Sequence, residues 1–466
     1  MVRAAGPCKG GPMPDAPAQP VANATGETET KLKRGITPLL LFFFIVGDTL
    51  GAGIYTLVGS IAQDVGGAIW LPLIIALVLA LLTAGTYAEL ITKYPHAGGA
   101  ARYAERAFDK PYVTFLIGFL MLSSGITTSA ALANAFAGDY LKALTDIPSV
   151  PVALGFIAAL VAINLRGVRE SLMANVCATI IEMTGLIIII VVAAIVFGKG
   201  EADTSRLTTF AEGVSPMSGA FAATITAFFS FLGFEAAANM AEEVRQPSRA
   251  YPRALFGAIA TAGVVYLLIA IGAGAVVPTE QLAQSEGPLL EVIDTSGLSF
   301  PPWLFALIAL VAIGNGALLF MVMASRATYG LAEAGLLPSV FGRVAPARRT
   351  PWVAILVVGA VTMGMSFAGD VGTLADTTVL LLVLVFISAN ISVLVLKKDT
   401  VDHEYFHVPR IVSVLALIAS IALLTQQSLQ TWTIAACYVA VGSLLYLAAR
   451  HARKREGQEV GSVDLG

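Results

Sequence analysis

Gly47-Asp48-Thr49-Leu50-Gly51-Ala52-Gly53-Ile54-Tyr55 interrupts the first long apolar run of the chain, between Leu39–Val46 and Thr56–Ala62. Each of its three glycines costs a helix interior roughly 1 kcal/mol relative to alanine. An acid at the same depth is costlier still in hydrocarbon. Small residues alone would suit close helix–helix packing. Glycines and an acid together point instead to a helix broken at mid-membrane, whose freed N–H and C=O groups face a ligand and not lipid.

The rest of the chain says what medium surrounds this stretch. Of 466 residues 57% are hydrophobic and 13% charged, whereas a soluble chain carries about 25% charged residues. The composition is that of a polytopic membrane protein. Cys8, Cys177 and Cys437 are far apart and the four histidines are scattered, so neither a metal nor a redox site is expected. Neither a cofactor nor nucleic acid is expected as a partner; the lipid bilayer is.

A bilayer core of about 30 Å takes roughly 20 apolar residues to span as a helix. Twelve such runs are present, at about 38–62, 68–92, 112–138, 149–165, 171–198, 218–241, 251–277, 302–330, 351–368, 372–396, 409–425 and 429–449. The loops test this count. Those on one side hold most of the basic residues, among them Lys33 and Arg34, Arg102 and Arg106, Arg245 and Arg249, Arg348, Lys397 and Lys398, and Arg450. The opposite loops hold only Lys142, Lys199 and Arg206, beside Glu280, Glu286, Glu291 and Asp294. Basic loops are cytoplasmic, so both termini are expected inside. Residues 1–34 read as a disordered cytoplasmic tail without the apolar core of a signal peptide, and 451–466 as a second cytoplasmic tail. The sequon Asn23-Ala24-Thr25 is discounted on that topology.

The sixth run repeats the signature of the first. Thr226-Ala227-Phe228-Phe229-Ser230-Phe231-Leu232-Gly233-Phe234-Glu235-Ala236 again places a glycine and a carboxylate near the middle of a span. Spans 1 and 6 open two five-span halves, about 35–198 and 216–398, and five being odd, the second half enters the membrane from the other side. Interrupted helices at matching positions of inverted halves point to a transporter's central site. A half-helix N-terminus suits a carboxylate, and carbonyl ends suit an ammonium or a cation. An α-amino acid carries both groups on one carbon.

Four motifs occur in an order that resembles the amino acid–polyamine–organocation permease family. They are Gly51-Ala52-Gly53-Ile54; Tyr87-Ala88-Glu89-Leu90 with Tyr94-Pro95-His96-Ala97-Gly98-Gly99 and Tyr103; Phe229 to Glu235 with Glu242, Glu243 and Pro247; and Ser325-Arg326 with Gly335-Leu336-Leu337-Pro338. The resemblance covers about residues 35–450. It implies an all-α integral membrane fold of 12 transmembrane helices, a 5+5 inverted repeat (35–398) of the LeuT type with helices 1 and 6 broken, and helices 11–12 (399–450) outside it. It also implies alternating access around a central amino-acid site.

Carried over by position, the resemblance gives the substrate carboxylate to the N–H groups of Ala52, Gly53 and Ile54, beside Gly51. The α-ammonium goes to carbonyls around Thr49 and to those of Phe229 and Leu232, with Ser230 adjacent. Phe229 would close over the substrate and Phe320 would lie beneath it; Met121 and Leu122 are further pocket candidates. Glu235, on the resemblance, links binding to gating and proton state. At Glu182 the sequence departs from the family, many members having a lysine near this position. An acid there suits reversible protonation, or sodium ligation with carbonyls near Gly47 and with Ser325. Asp48 either caps freed N–H groups or joins the coupling site. Glu89, close to Lys93, reads as an ion pair at the cytoplasmic end of span 2, and Arg326 as a snorkelling or gate residue. Asn134, Asn239 and Asn315 read as interhelical hydrogen-bonding residues.

The expected function is secondary active amino-acid transport in the cell membrane, with H+ (or Na+) as the coupling ion. An amino acid/polyamine exchanger is the alternative. A channel would lack paired broken helices, a receptor would need a sizeable soluble domain, and no nucleophile–base pair suggests an enzyme.

Overall fold

The computed structural model describes residues 36–455, apart from 96–98, 167–170, 212, 214, 347 and 349. Residues 1–35 and 456–466, His96–Gly98 of the second motif and the basic loop residues Arg169 and Arg349 therefore lie outside the described residues, as do the side chains of Asn239, Glu242 and Glu243; residues 451–455, read from the sequence as the start of a tail, continue the last helix.

The first predicted span is two helices, α1 (Pro38–Leu50) and α2 (Ala52–Val65), parted at Gly51, whose φ of −51° and ψ of −146° leave the helical region. Next come α3 (Trp70–Lys93), α4 (Gly99–Phe108), α5 (Pro111–Phe136), the short α6 (Asp139–Lys142), α7 (Ser149–Arg166) and α8 (Ser171–Gly198). The sixth predicted span begins as α9 (Pro216–Phe229), loses its α-helical pattern at Ser230 and resumes as a 3-10 helix, Ala236–Glu243. The chain continues through α10 (Pro247–Val276), α11 (Thr279–Gln284), α12 (Pro288–Thr295), α13 (Pro302–Glu333), α14 (Trp352–Met365), α15 (Val371–Leu396), α16 (Arg410–Leu424) and α17 (Leu429–Arg455).

Local chemistry explains many of the helix starts. Pro38, Pro111, Pro216, Pro247 and Pro302 sit at first positions, where the missing N–H is no loss. The side chains of Thr37, Ser215 and Asp370 cap α1, α9 and α15. Among the described residues nine helical stretches are long and apolar enough to cross a membrane, with α1 and α2 taken as one. The apolar helices α9, α14 and α16 have 14, 14 and 15 residues. Each is close to 21 Å long, short of the roughly 20 residues read for a full span. Helix α4 falls in a stretch read from the sequence as loop. Its buried Ala100, Ala101, Tyr103 and Ala104 supply one apolar face.

Burial divides the helices into two shells. The apolar window of α5 is 94% buried and that of α7 only 22%. The outer helices expose rows of aliphatic side chains, such as Ile180, Ile187, Val191 and Ile195 on α8 and Ile411, Leu415 and Ile418 on α16. Such rows suit lipid and not water. The inner shell holds both interrupted segments, and backbone joins them at each end. Ile36, just before α1, bridges Val244 after the 3-10 helix; Gly66, just after α2, bridges Phe210 ahead of α9. The Arg245 N–H donates to the Ile36 carbonyl at 3.1 Å, and the Gly67 N–H to that of Thr209 at 2.9 Å.

Candidate functional site

The two interruptions touch. A Cβ on Gly53 would lie 2.7 Å from the Ser230 Cα, so only glycine lets α2 start this close to the second break. Gly233 has φ +118°, and a Cβ there would lie 2.7 Å from the Asp48 carbonyl oxygen. Each break therefore carries a glycine fitted against the other. Between them the turn is held by successive N–H donations from Ser230, Phe231 and Leu232 to the carbonyls of Ala227, Phe228 and Phe229, at 3.2, 3.0 and 3.1 Å. The Glu235 carboxylate accepts from the Gly233 N–H at 2.9 Å and braces the turn from inside.

Between the breaks lies a cavity of about 20 Å³, roughly the room one water needs. Its wall comprises Asp48, Thr49, Gly51, Ala52, Gly53, Phe229, Ser230, Leu232 and Phe320, all named from the sequence, together with Leu132 and Gly316. No side chain caps the start of α2, so its first N–H groups stay available to an anion. Asp48 Oδ2, Thr49 Oγ1 and Ser230 Oγ are buried with no hydrogen-bond partner among the described residues. Buried polar atoms are normally satisfied, so these three side-chain atoms also have capacity for a ligand.

Other expected residues stand back from the cavity. Ile54 is fully buried but is not part of the wall. Met121 and Leu122 are buried on α5, and Leu132, about three turns further along, supplies that helix's wall residue instead. Glu182 is buried on α8, where Asn315 of α13 donates to its Oε1 at 3.1 Å and its own carbonyl accepts from the Tyr55 hydroxyl at 2.6 Å. Ser325 is engaged elsewhere: Asn164 donates to it at 3.1 Å, and it donates to the Val322 carbonyl at 3.0 Å. Glu182, Ser325 and Gly47 thus have separate partners, Gly47 facing Thr179 of α8. Asn134 of α5, read from the sequence as bonding between helices, bonds instead to the connection from α14 to α15, donating to the carbonyls of Ser366 and Gly369 at 3.0 and 3.3 Å. Arg326 is exposed.

The sequence reading missed two partners. The hydroxyl of Tyr266 on α10 donates to the Thr49 carbonyl and lies 2.8 Å from that of Ser230. Asp376, on α15, accepts from Thr226 of α9 at 2.8 Å. A tyrosine or an acid alone in an apolar span gives a polar signal but no partner.

Glu89 forms an ion pair, as read from the sequence, but not with its neighbour Lys93. Its ion pair is with Lys397, 308 residues away, while Lys93 donates to the Leu396 carbonyl at 2.7 Å. Glu89 further accepts from the Val408 N–H at 2.8 Å. The α15–α16 connection is thereby strapped across the end of α3. Tyr94 donates to Asp399 at 2.5 Å and Arg106 at 3.0 Å. The Tyr94 hydroxyl first, then the Arg106 guanidinium, hold the Asp399 carboxyl below the usual carboxylate range. A depressed carboxyl stabilises the fold above its unfolded pKa and loses that contribution as pH falls through the lowered folded value. Protection against hydrogen exchange across residues 399–408, taken relative to the intrinsic rate at each pH, is therefore expected to hold down to about pH 4 and fall only below it. Asp399→Asn should exchange fast throughout; an equally slow variant would remove Asp399 from the strap.

Comparison with known proteins shows the family of the chain. Residues 36–452 match the family described as amino acid permease. Among similar proteins are cationic amino acid transporter 9, chloroplastic, of Arabidopsis thaliana and the methylthioribose transporter of Bacillus subtilis (strain 168). The first is 28% identical over 72% of this chain and 61% of its own length; the second 25% identical over 92% and 96%. Cationic amino acid transporter 4 of Mus musculus is 28% identical over 79% of this chain and 61% of its own. The chain thus spans less than two thirds of the length of two of these three. With 417 of its residues matched, a run of apolar helices and paired helix breaks, the chain is a multi-pass membrane protein that belongs to the amino acid permease family.

Proposed function

We propose that this protein is a secondary active transporter that carries an amino acid by alternating access. The observation that carries the reading is the cavity between Gly51–Gly53 and Phe229–Leu232. There the uncapped N-terminus of α2 meets the carbonyl ends of α1 and α9, the opposed polarities that a zwitterion requires. In this reading the N–H groups of Ala52, Gly53 and Ile54 take the carboxylate. The carbonyls of Thr49, Phe229 and Leu232 take the ammonium, and Phe229 and Phe320 flank the side chain. An amino acid is far larger than the cavity, so the helices around it must part during the cycle.

Counting α9 with its 3-10 continuation, α14 and α16 beside the nine longer stretches gives twelve spans. The first ten form two inverted halves, 35–198 and 216–398, and residues 399–450 supply the last two. The loop charges set both termini on the cytoplasmic side, and the cell membrane is the proposed location. For coupling we favour protons. Glu182 and Glu235 are buried carboxylates with one oxygen bonded and the other without a partner among the described residues, a state compatible with either charge form.

Purified protein in proteoliposomes tests the reading. Uptake driven by an imposed pH gradient, without internal substrate, is the expected result. Transport that appears only in vesicles preloaded with amino acid would instead favour an amino acid/polyamine exchanger; the relatives named cationic amino acid transporters bear only on the charge of the substrate. Glu182→Gln keeps an acceptor for Asn315 but cannot ionise. It is expected to flatten the pH dependence of uptake while leaving uptake at the wild-type optimum within about a factor of ten. An unchanged pH profile would exclude Glu182 from coupling.

A further inference from the structure

We propose that Tyr266 is a positioning residue for substrate recognition, holding the Thr49 carbonyl in place for the ammonium group by tying it to Ser230 of the second break. The inference rests on the amino-acid site proposed above and adds to it a residue on a helix outside both breaks. Tyr266 is fully buried on α10, its ring edge-to-face with Phe231 at 5.1 Å. Its hydroxyl donates to Thr49 O and stands 2.8 Å from Ser230 O, one carbonyl from each interrupted segment.

Thr49 and Ser230 line the cavity, whereas Tyr266 does not. The phenol therefore holds the two carbonyls without itself being part of the wall. A carbonyl oxygen has two lone pairs, and the phenol has one proton to share between two acceptors. Each carbonyl keeps a lone pair beyond the one the hydroxyl engages, and the hydroxyl ties the position of the Thr49 carbonyl to that of the second break. An acceptor held in place costs a bound ammonium less reorganisation than one that turns freely. The carboxylate half of the site is separate: it depends on the N–H groups that open α2, which Tyr266 does not touch. Tyr266 thus serves one end of the substrate and not the other.

That asymmetry defines the experiment. Dissociation constants are measured on purified wild type and Tyr266→Phe for L-leucine and L-arginine, each beside the same molecule without its amino group, isocaproate and δ-guanidinovalerate. The ring and its contact with Phe231 survive in Tyr266→Phe, so a melting temperature close to wild type is expected. The amino acid's dissociation constant should rise about tenfold as the Thr49 carbonyl, no longer held, loses its register with the ammonium. That of its des-amino counterpart should stay within about twofold. Phe231→Leu, which removes the ring contact and leaves the hydroxyl, should preserve the wild-type ratio between the two ligands. Equal losses for both ligands, no loss for either, or a Tyr266→Phe protein without a cooperative melt would each overturn the assignment by making the hydroxyl a matter of folding or of nothing. A wild type that binds neither amino acid better than its des-amino counterpart would instead sink the amino-acid site itself, and this assignment with it.

Discussion

Gly53→Ala is expected to reduce amino-acid uptake by about a hundredfold or more in reconstituted vesicles. The added methyl would sit 2.7 Å from the Ser230 Cα, and a backbone atom cannot swing aside as a side chain can. The two breaks must separate by a few tenths of an ångström or more, at a cost of about 1–3 kcal/mol in a packed interior. The N–H groups of α2 and the carbonyls of the second break then no longer converge on one ligand. Gly51→Ala is the control. A Cβ there meets nothing nearer than 3.4 Å, so its uptake should stay within about tenfold of wild type. Equal activity in both variants would show that the contact between the breaks has no part in transport.

The second large effect is expected at the strap. Glu89 and Lys397 form an ion pair whose side chains are 1% and 12% exposed. Removing one partner strands a buried charge, at about 3–5 kcal/mol. Lys397→Met should therefore lower the melting temperature markedly, and the effect should show in binding-independent unfolding. Glu89→Gln combined with Lys397→Met removes both charges while retaining an acceptor for the Val408 N–H, and should recover much of the loss. A double variant as unstable as Lys397→Met alone would mean that the lysine acts through its other bond, to the Val408 carbonyl at 2.6 Å.

The contrast between these two places shows what kind of information the sequence carries. The first break was legible because glycine and an acid are costly in a buried helix, so a local departure from pattern announced it. The second was legible because Gly233 and Glu235 repeat that departure. Most of the cavity wall followed from the resemblance, which ties those positions to a site. Leu132 and Gly316 were missed, since a leucine and a glycine in apolar spans look like their neighbours. The Glu89 pairing was misread because Lys93 is near in sequence while Lys397 comes near only through the fold. Tyr266 was passed over for the same reason: a hydroxyl announces a need for a partner but not where the partner is. Helix α4 escaped notice because its apolar face is made of alanines and one tyrosine, a weak signal between two long spans.

The backbone bridges at Ile36–Val244 and Gly66–Phe210 have a consequence of their own. Main-chain groups make both, so the tie between the two interrupted segments is written in no particular side chain. Substitutions that retune the pocket leave these seams in place, because almost any residue offers the same N–H and C=O. Each seam contributes on the scale of about 1 kcal/mol per hydrogen bond, which thermal motion can release and restore. The pair of interrupted segments is therefore hemmed at its outer corners by stitches that sequence drift cannot unpick and a transport cycle can. Pocket chemistry is free to diversify while the frame that carries it stays common.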